Sequence, residues 1–211
     1  MEYTKRKCSP LFLRNKYEGQ GMWDIPRLKR QDVNLDNLSL IAFSDTKPND
    51  SEVNRAKGVH FFKDDYKFGG VYQTPERSLE KLSQYAFLLT PDFSTYADMP
   101  MWRQIESVAH SRWCGAYWQE HGLIVVPTIS WSTPASYLFC FDGIERHSVV
   151  AVGMIGCKRN NKEAYLRGYE AMLEALEPIA IICFGSPYKE MAGNLIVIEH
   201  PMHKRGKLYG R

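Results

Sequence analysis

No apolar run in this sequence approaches the roughly 20 residues needed to span a bilayer. The opening ten residues, MEYTKRKCSP, lack the apolar core of a signal peptide. No membrane span or secretory leader is therefore expected, and the chain reads as cytoplasmic. Cysteine is sparse as well. Cys8, Cys114, Cys140, Cys157 and Cys183 are odd in number, widely spaced and never arranged C-x-x-C, which argues against a disulfide framework and a zinc ribbon. Cys183 lies in the apolar run AIICFGS and reads as a small buried hydrophobe. Cys114 and Cys140 have only His110 and His147 as sequence-local histidines, so nothing marks either as a nucleophile. Also missing are a G-x-S-x-G elbow, a phosphate-binding loop and H-E-x-x-H, which leaves serine-nucleophile chemistry unsupported.

What is present is an ordinary globular composition with a generous aromatic share: 44% hydrophobic, 24% charged and 13% aromatic. A chain of 211 residues is most simply one domain, able to bury roughly 70% of the surface its unfolded form exposes. The net charge of +3 conceals an asymmetry, with +5 in residues 1–30, +4 in 201–211 and −6 between them. Basic ends can hold phosphate backbones, although solvated tails are the commoner use.

Residues 1–35 show no clean period and read as an irregular segment lying over the body, and 201–211 read as a basic tail. From residue 38 onward, short apolar runs recur at 38–44, 58–62, 85–90, 123–130, 149–156, 180–186 and 195–200. They are nearly continuous in hydrophobicity, as strands buried on both faces of a parallel sheet are. Helical patterns fall between them at 75–85, 99–121 and 162–178. In the longest, Asp98 is the expected N-cap, Pro100 the first turn and Gly122 the C-terminal stop. Its expected inward stripe is Trp102, Ile105, Ala109, Trp113 and Ala116, with Arg112 close to it. Strand, helix and strand at this spacing make right-handed βαβ units. The expected fold is an α/β domain with a mainly parallel sheet, barrel-like, the alternative being an open doubly wound three-layer sheet. No glycine-rich turn follows the first strand, which weakens a dinucleotide-binding version.

In either architecture functional groups gather where strands end, and several strand ends here carry polar residues. Asp64 and Asp65 follow the second run, Asp92, Ser94 and Tyr96 the third, and Trp131 the fourth. Asp64, Asp65 and Asp92 are candidate catalytic residues, as metal ligands or as acid and base, with magnesium the first ion to consider. Ser94, Tyr96, Arg103, Gln104, Arg112, Gln119 and Trp131 are candidates for substrate binding, the arginines for phosphate and Trp131 for stacking a base. Taken one at a time, Asp and Ser after a strand also serve as turn and helix-capping residues. His60 inside an apolar run reads first as a core histidine. Glu199, His200 and His203 have ligand-like spacing, but two histidines in a basic tail make a weak case for zinc.

The ordered series VHFFKDDYKF, LLTPDFSTYADMPMWRQ, SRWCGAYWQEHGLIVVPTISW, YLFCFDGI, SVVAVGMIGC and AIICFGS resembles domain-of-unknown-function family 4417, found in phages, prophages and other bacterial mobile elements. The likeness runs from roughly 14 to 190, and RNKYEGQGMWDIP looks like the family's opening. It implies an intracellular phage-type protein and carries no activity to transfer. Two functional expectations follow from the residues. One is an enzyme acting on a nucleotide or nucleic-acid substrate at the strand-end pocket. The other is a binding module that sequesters a nucleotide-like ligand or blocks a host protein. A third, plainer reading has the strand-end acids merely capping helices.

Overall fold

The computed structural model describes residues 9–155 and 161–199. A short helix, α1 (Pro10–Leu13), and an antiparallel hairpin, β1 (Gly19–Gln20) with β2 (Ile25–Pro26), precede the body. Four parallel strands then pair in chain order: β3 (Leu40–Ala42), β4 (Gly58–His60), β5 (Phe87–Leu89) and β6 (Val125–Val126). Three more, β7 (Val149–Gly153), β8 (Ala180–Phe184) and β9 (Leu195–Ile198), form a second parallel sheet. A parallel bridge between Thr128 and Ala151, just past the end of β6, connects the two sheets. Each expected strand is present, in a shorter form, and the α/β class with parallel sheets holds.

The crossovers are α2 (Glu52–Arg55), α3 (Gly70–Gln73), α4 (Glu76–Leu82), α5 (Met101–Glu120) and α6 (Lys162–Leu176). Burial explains why the strands read as continuous apolar runs. Leu40, Phe87, Leu89, Val126, Val149, Ala151, Ala180, Ile182, Ile196 and Ile198 point into one cluster shared by the two sheets. Their alternates Ile41, Val59, Leu88 and Val125 pack on the opposite face against the helices, as do Val150, Ile181 and Cys183. Both faces are dry, so alternation of polar and apolar residues never appears. His60 packs against that shared cluster: its Nδ1 accepts from the Phe62 amide at 3.2 Å, and its ring lies 4.3 Å from that of Phe184. It is a core histidine.

Helix α5 is 20 residues long and buried almost all round from Ser107 to Trp118. It lies between the strands and the N-terminal hairpin; at Gly115 an added Cβ would come within 2.7 Å of Leu28 on one side and Thr90 on the other. Two expectations about it need correction. Pro100, not Asp98, occupies the N-cap, and no side chain caps the helix. Trp102 is 67% exposed, because the first turn stands clear of the core and the buried face begins at Gln104. Gly122, with φ +79°, provides the left-handed stop. Helix α6 ends on Glu177, a non-glycine residue at φ +43° whose amide donates to the Leu173 carbonyl, and Pro178 prevents continuation.

Candidate functional site

Parallel strands paired in register bring their C-terminal ends side by side. The ends of β4, β5, β6 and β7 surround a cleft of about 770 Å³. Phe62 to Tyr66 follow β4, Asp92 to Tyr96 follow β5, Ile129 to Trp131 follow β6, and Gly153 and Ile155 close the β7 side. Tyr165, on the first turn of α6, forms the outer wall.

The three candidate acids of this cleft have different surroundings. Asp64 is exposed and pairs with Lys67 at 2.8 Å, which holds its carboxyl below the usual range. Asp65 is partly buried and immobilised: Ser94 donates to it twice, from its amide at 3.1 Å and its hydroxyl at 2.9 Å. That pair of bonds stitches the β4 loop to the β5 loop. Asp92 is partly buried, and no described group hydrogen-bonds its carboxyl. Burial first, and the neighbouring Asp65 charge second, push it up to about 7. Neither Asp92 nor Asp98 caps α5, so helix capping does not account for the polar crowd between Thr90 and Pro100.

A polar layer lies directly beneath. Thr90 and Thr128 extend β5 and β6 by one and two residues, and each is fully enclosed. The Thr128 amide donates to Thr90 Oγ1 at 2.8 Å, the Thr128 hydroxyl donates to the Thr90 carbonyl at 2.7 Å, and Ser111 donates to Thr90 Oγ1 at 3.0 Å. Arg112, 1% exposed, completes the layer. Its Nη1 donates to the Thr128 carbonyl at 2.9 Å, Nη2 to that of Cys140 at 3.0 Å and Nε to that of Asp142 at 3.3 Å. Burial lowers its pKa to about 10, so it is still a cation at neutral pH.

Among the residues expected at the site, Asp64, Asp65, Asp92, Ser94, Tyr96 and Trp131 line the cleft. Arg103, Gln104, Arg112 and Gln119 do not. Arg103 is exposed and pairs with Glu106 one turn along its own helix. Gln104 is buried, accepting from the Ser132 hydroxyl and donating to the Met99 carbonyl at 2.9 Å. Gln119 holds the N-terminal segment: its Nε2 donates to the Lys29 carbonyl at 2.7 Å, and its Oε1 accepts from the Lys29 amide at 2.9 Å. Buried polar groups must be paired, and here backbone supplies most of the partners. Trp131 packs against Tyr165, ring centres 5.0 Å apart. Its indole also lies so close to α6 that a Cβ on Gly168 would stand 2.1 Å from its Nε1.

Sequence reasoning passed over Tyr165, Tyr66 and Lys63 in the lining. Tyr165 could have been found: it heads the stripe continued by Tyr169, Met172 and Leu176, and a helix following a strand begins at the edge where strands end. Cys114, Cys140 and Cys183 are buried, and burial pushes the Cys140 thiol up to about 12 and Cys114 further still. His200 and His203 lie outside the described residues. Among the described residues no group of three His, Cys, Asp or Glu side chains could hold a metal ion.

The fold and its cleft define an α/β protein with a ligand-sized site at its strand ends. Residues 17–201 match the family model described as "Domain of unknown function (DUF4417)", and the chain belongs to that family. It is similar to the "Gene 1 protein" of Mycobacterium phage L5, with 35% identity over 181 residues, covering 85% of this chain and 78% of that protein. A second relative, the "Gene 1 protein" of Mycobacterium phage D29, is 34% identical over 181 residues, covering 85% of this chain and 66% of that protein. No solved structure matches the chain significantly. No helix of the described residues is long and apolar enough to cross a membrane.

Proposed function

We propose that this phage-type protein is an enzyme that works by proton transfer in the strand-end cleft, on a nucleotide or nucleic-acid substrate. One observation carries the reading: two neighbouring carboxyls of the cleft have opposite surroundings. Ser94 donates to both oxygens of Asp65, while no described group bonds the Asp92 carboxyl, and burial and the Asp65 charge keep a proton on it up to about pH 7. Environments that drive paired acids apart in this way assign one as proton donor and the other as charge stabiliser or base. The walls support a flat, ring-bearing substrate, since Trp131, Tyr165, Tyr66 and Tyr96 border the cleft.

The scaffold in this reading is a barrel. The strands run in chain order, the Thr128–Ala151 bridge joins the two sheets, and the inner cluster takes side chains from both sheets with no helix residue among them. An open three-layer sheet would put helices on that face. In such a barrel, function belongs at the C-terminal strand ends, where the cleft is found.

The alternative is a module that sequesters the same ligand without chemistry, or one that blocks a host protein. The aromatic walls favour ligand capture, and the unpartnered acid favours turnover. A thermal-shift screen with nucleosides and nucleotides, followed by product analysis, separates them. Turnover lost in Asp92→Asn, with the ligand-induced rise in melting temperature retained, supports the enzyme. A ligand recovered unchanged supports capture.

A further inference from the structure

We infer that the bond broken in this cleft is a glycosidic bond, the C1′–N bond between the sugar and base of a nucleoside unit, and that Asp92 and Asp65 flank it. The inference rests on the acid–base reading above and names its reaction. Charge decides between the candidate bonds. Breaking a phosphate ester spreads negative charge over oxygens, which calls for cations. Neither Arg103 nor Arg112 reaches the cleft, one paired with Glu106 and the other bonded to three carbonyls; the one cationic side chain among the described lining residues is Lys63, which is exposed, against the three acids Asp64, Asp65 and Asp92. Breaking a glycosidic bond instead develops positive charge at the sugar carbon and needs a proton on the leaving group. Two carboxyls in one cleft, Asp65 hydrogen-bonded at both oxygens and Asp92 without a described partner, meet both demands.

The arrangement matches in detail. Ser94 donates to both Asp65 oxygens, and both residues line the cleft. Asp92 has no described hydrogen-bond partner, so its proton is free to be given to a ligand. Trp131 and Tyr165 form a continuous aromatic wall, able to hold a base by its face while its edge is protonated. Tyr66, 81% exposed, and Tyr96, 63% exposed, stand at the mouth beside Lys63 and offer a second stacking surface.

The chemistry balances without a further reagent. Asp92 gives its proton to the departing base, the C1′–N bond breaks with its electron pair leaving on nitrogen, and the Asp65 carboxylate stabilises the positive charge at C1′. Water then adds to C1′, and its proton goes to Asp92, restoring the starting state. The products are a free base and a sugar with a hydroxyl at C1′.

The test uses the full chain with a panel of ribo- and deoxynucleosides, their monophosphates and a single-stranded oligodeoxynucleotide. Free base and released phosphate are measured separately by chromatography, and melting temperature is recorded with each compound. The expected result is free base from at least one substrate, falling on the order of 10²-fold or more in Asp92→Asn and in Asp65→Asn, with both variants still melting cooperatively. Ser94→Ala, which removes one bond to Asp65 and leaves its charge, is expected to lose about tenfold in kcat with KM unchanged. Base release unaffected by Asp92→Asn overturns the assignment. Phosphate-ester cleavage without base release overturns the inference and leaves the acid–base reading standing. Ligand binding with no product overturns both in favour of capture, and neither binding nor product overturns every nucleotide reading.

Discussion

Two polar layers sit one above the other at the ends of β5 and β6, and they obey opposite rules. In the lower layer, Thr90, Ser111, Arg112 and Thr128 are bonded to one another or to carbonyls. Two residues further along each strand, the upper layer holds Asp92, which no described group bonds, and Ser130 on the cleft wall. The lower layer fixes where the strand tips stand. The upper layer leaves a carboxyl without a described hydrogen-bond partner at that fixed place. In the proposed reading, stability and reactivity are thus separated by two residues along each strand, with an arginine serving the first and an aspartate the second.

The contrast can be broken most forcefully from below. Arg112→Met removes a cation that three carbonyls depend on and should lower unfolding free energy by on the order of 4 kcal/mol, read from the denaturant midpoint. A loss under about 1 kcal/mol would mean the lower layer does not brace the cleft. Asp92→Asn should act in the opposite direction. Asp92 keeps its proton in the folded state up to about pH 7, while the unfolded carboxyl releases it near pH 4. Between these values the folded state binds more protons, so wild-type stability falls as pH rises. The variant cannot ionise. It should match wild type at pH 4 and exceed it at pH 8 by on the order of 2 kcal/mol, and catalysis by wild type should decline above about pH 7. Equal melting curves at pH 8 would remove the claim that Asp92 is a strained acid.

Within the lower layer, Thr90→Val keeps the shape and deletes an oxygen that accepts from both Thr128 and Ser111. The expected cost is about 1–2 kcal/mol, with activity reduced only as far as the tip shifts. Ser94→Ala should cost least, under about 1 kcal/mol, because Asp65 retains the Ser94 amide. Its effect on turnover should exceed its effect on stability, the reverse of Thr90→Val.

The strand rhythm was legible because a parallel strand covered on both faces needs apolar residues at every position, a local property. The acids of the cleft were legible for a similar reason, since each directly follows such a run. Arg112 and Gln119 were read as ligand-binding groups because sequence records their charge and polarity but not their partners. Their acceptors are carbonyls of Thr128, Cys140 and Lys29, and every residue has a carbonyl. Trp102 was placed on the inward stripe by its spacing, yet the helix starts one turn before the core does. Gln104 and Ser132 lie 28 positions apart, a separation that no local pattern reveals.

Gly168 gives the cleft a property that its own walls do not disclose. The indole of Trp131 rests on helix α6 where a single methyl group would collide with it, so the aperture is set from behind, by a hydrogen atom on the outer layer. Alanine there would favour the helix by roughly 1 kcal/mol while driving the indole inward. Among natural variants of this chain, the width of the opening should therefore follow the size of one residue that no ligand ever touches.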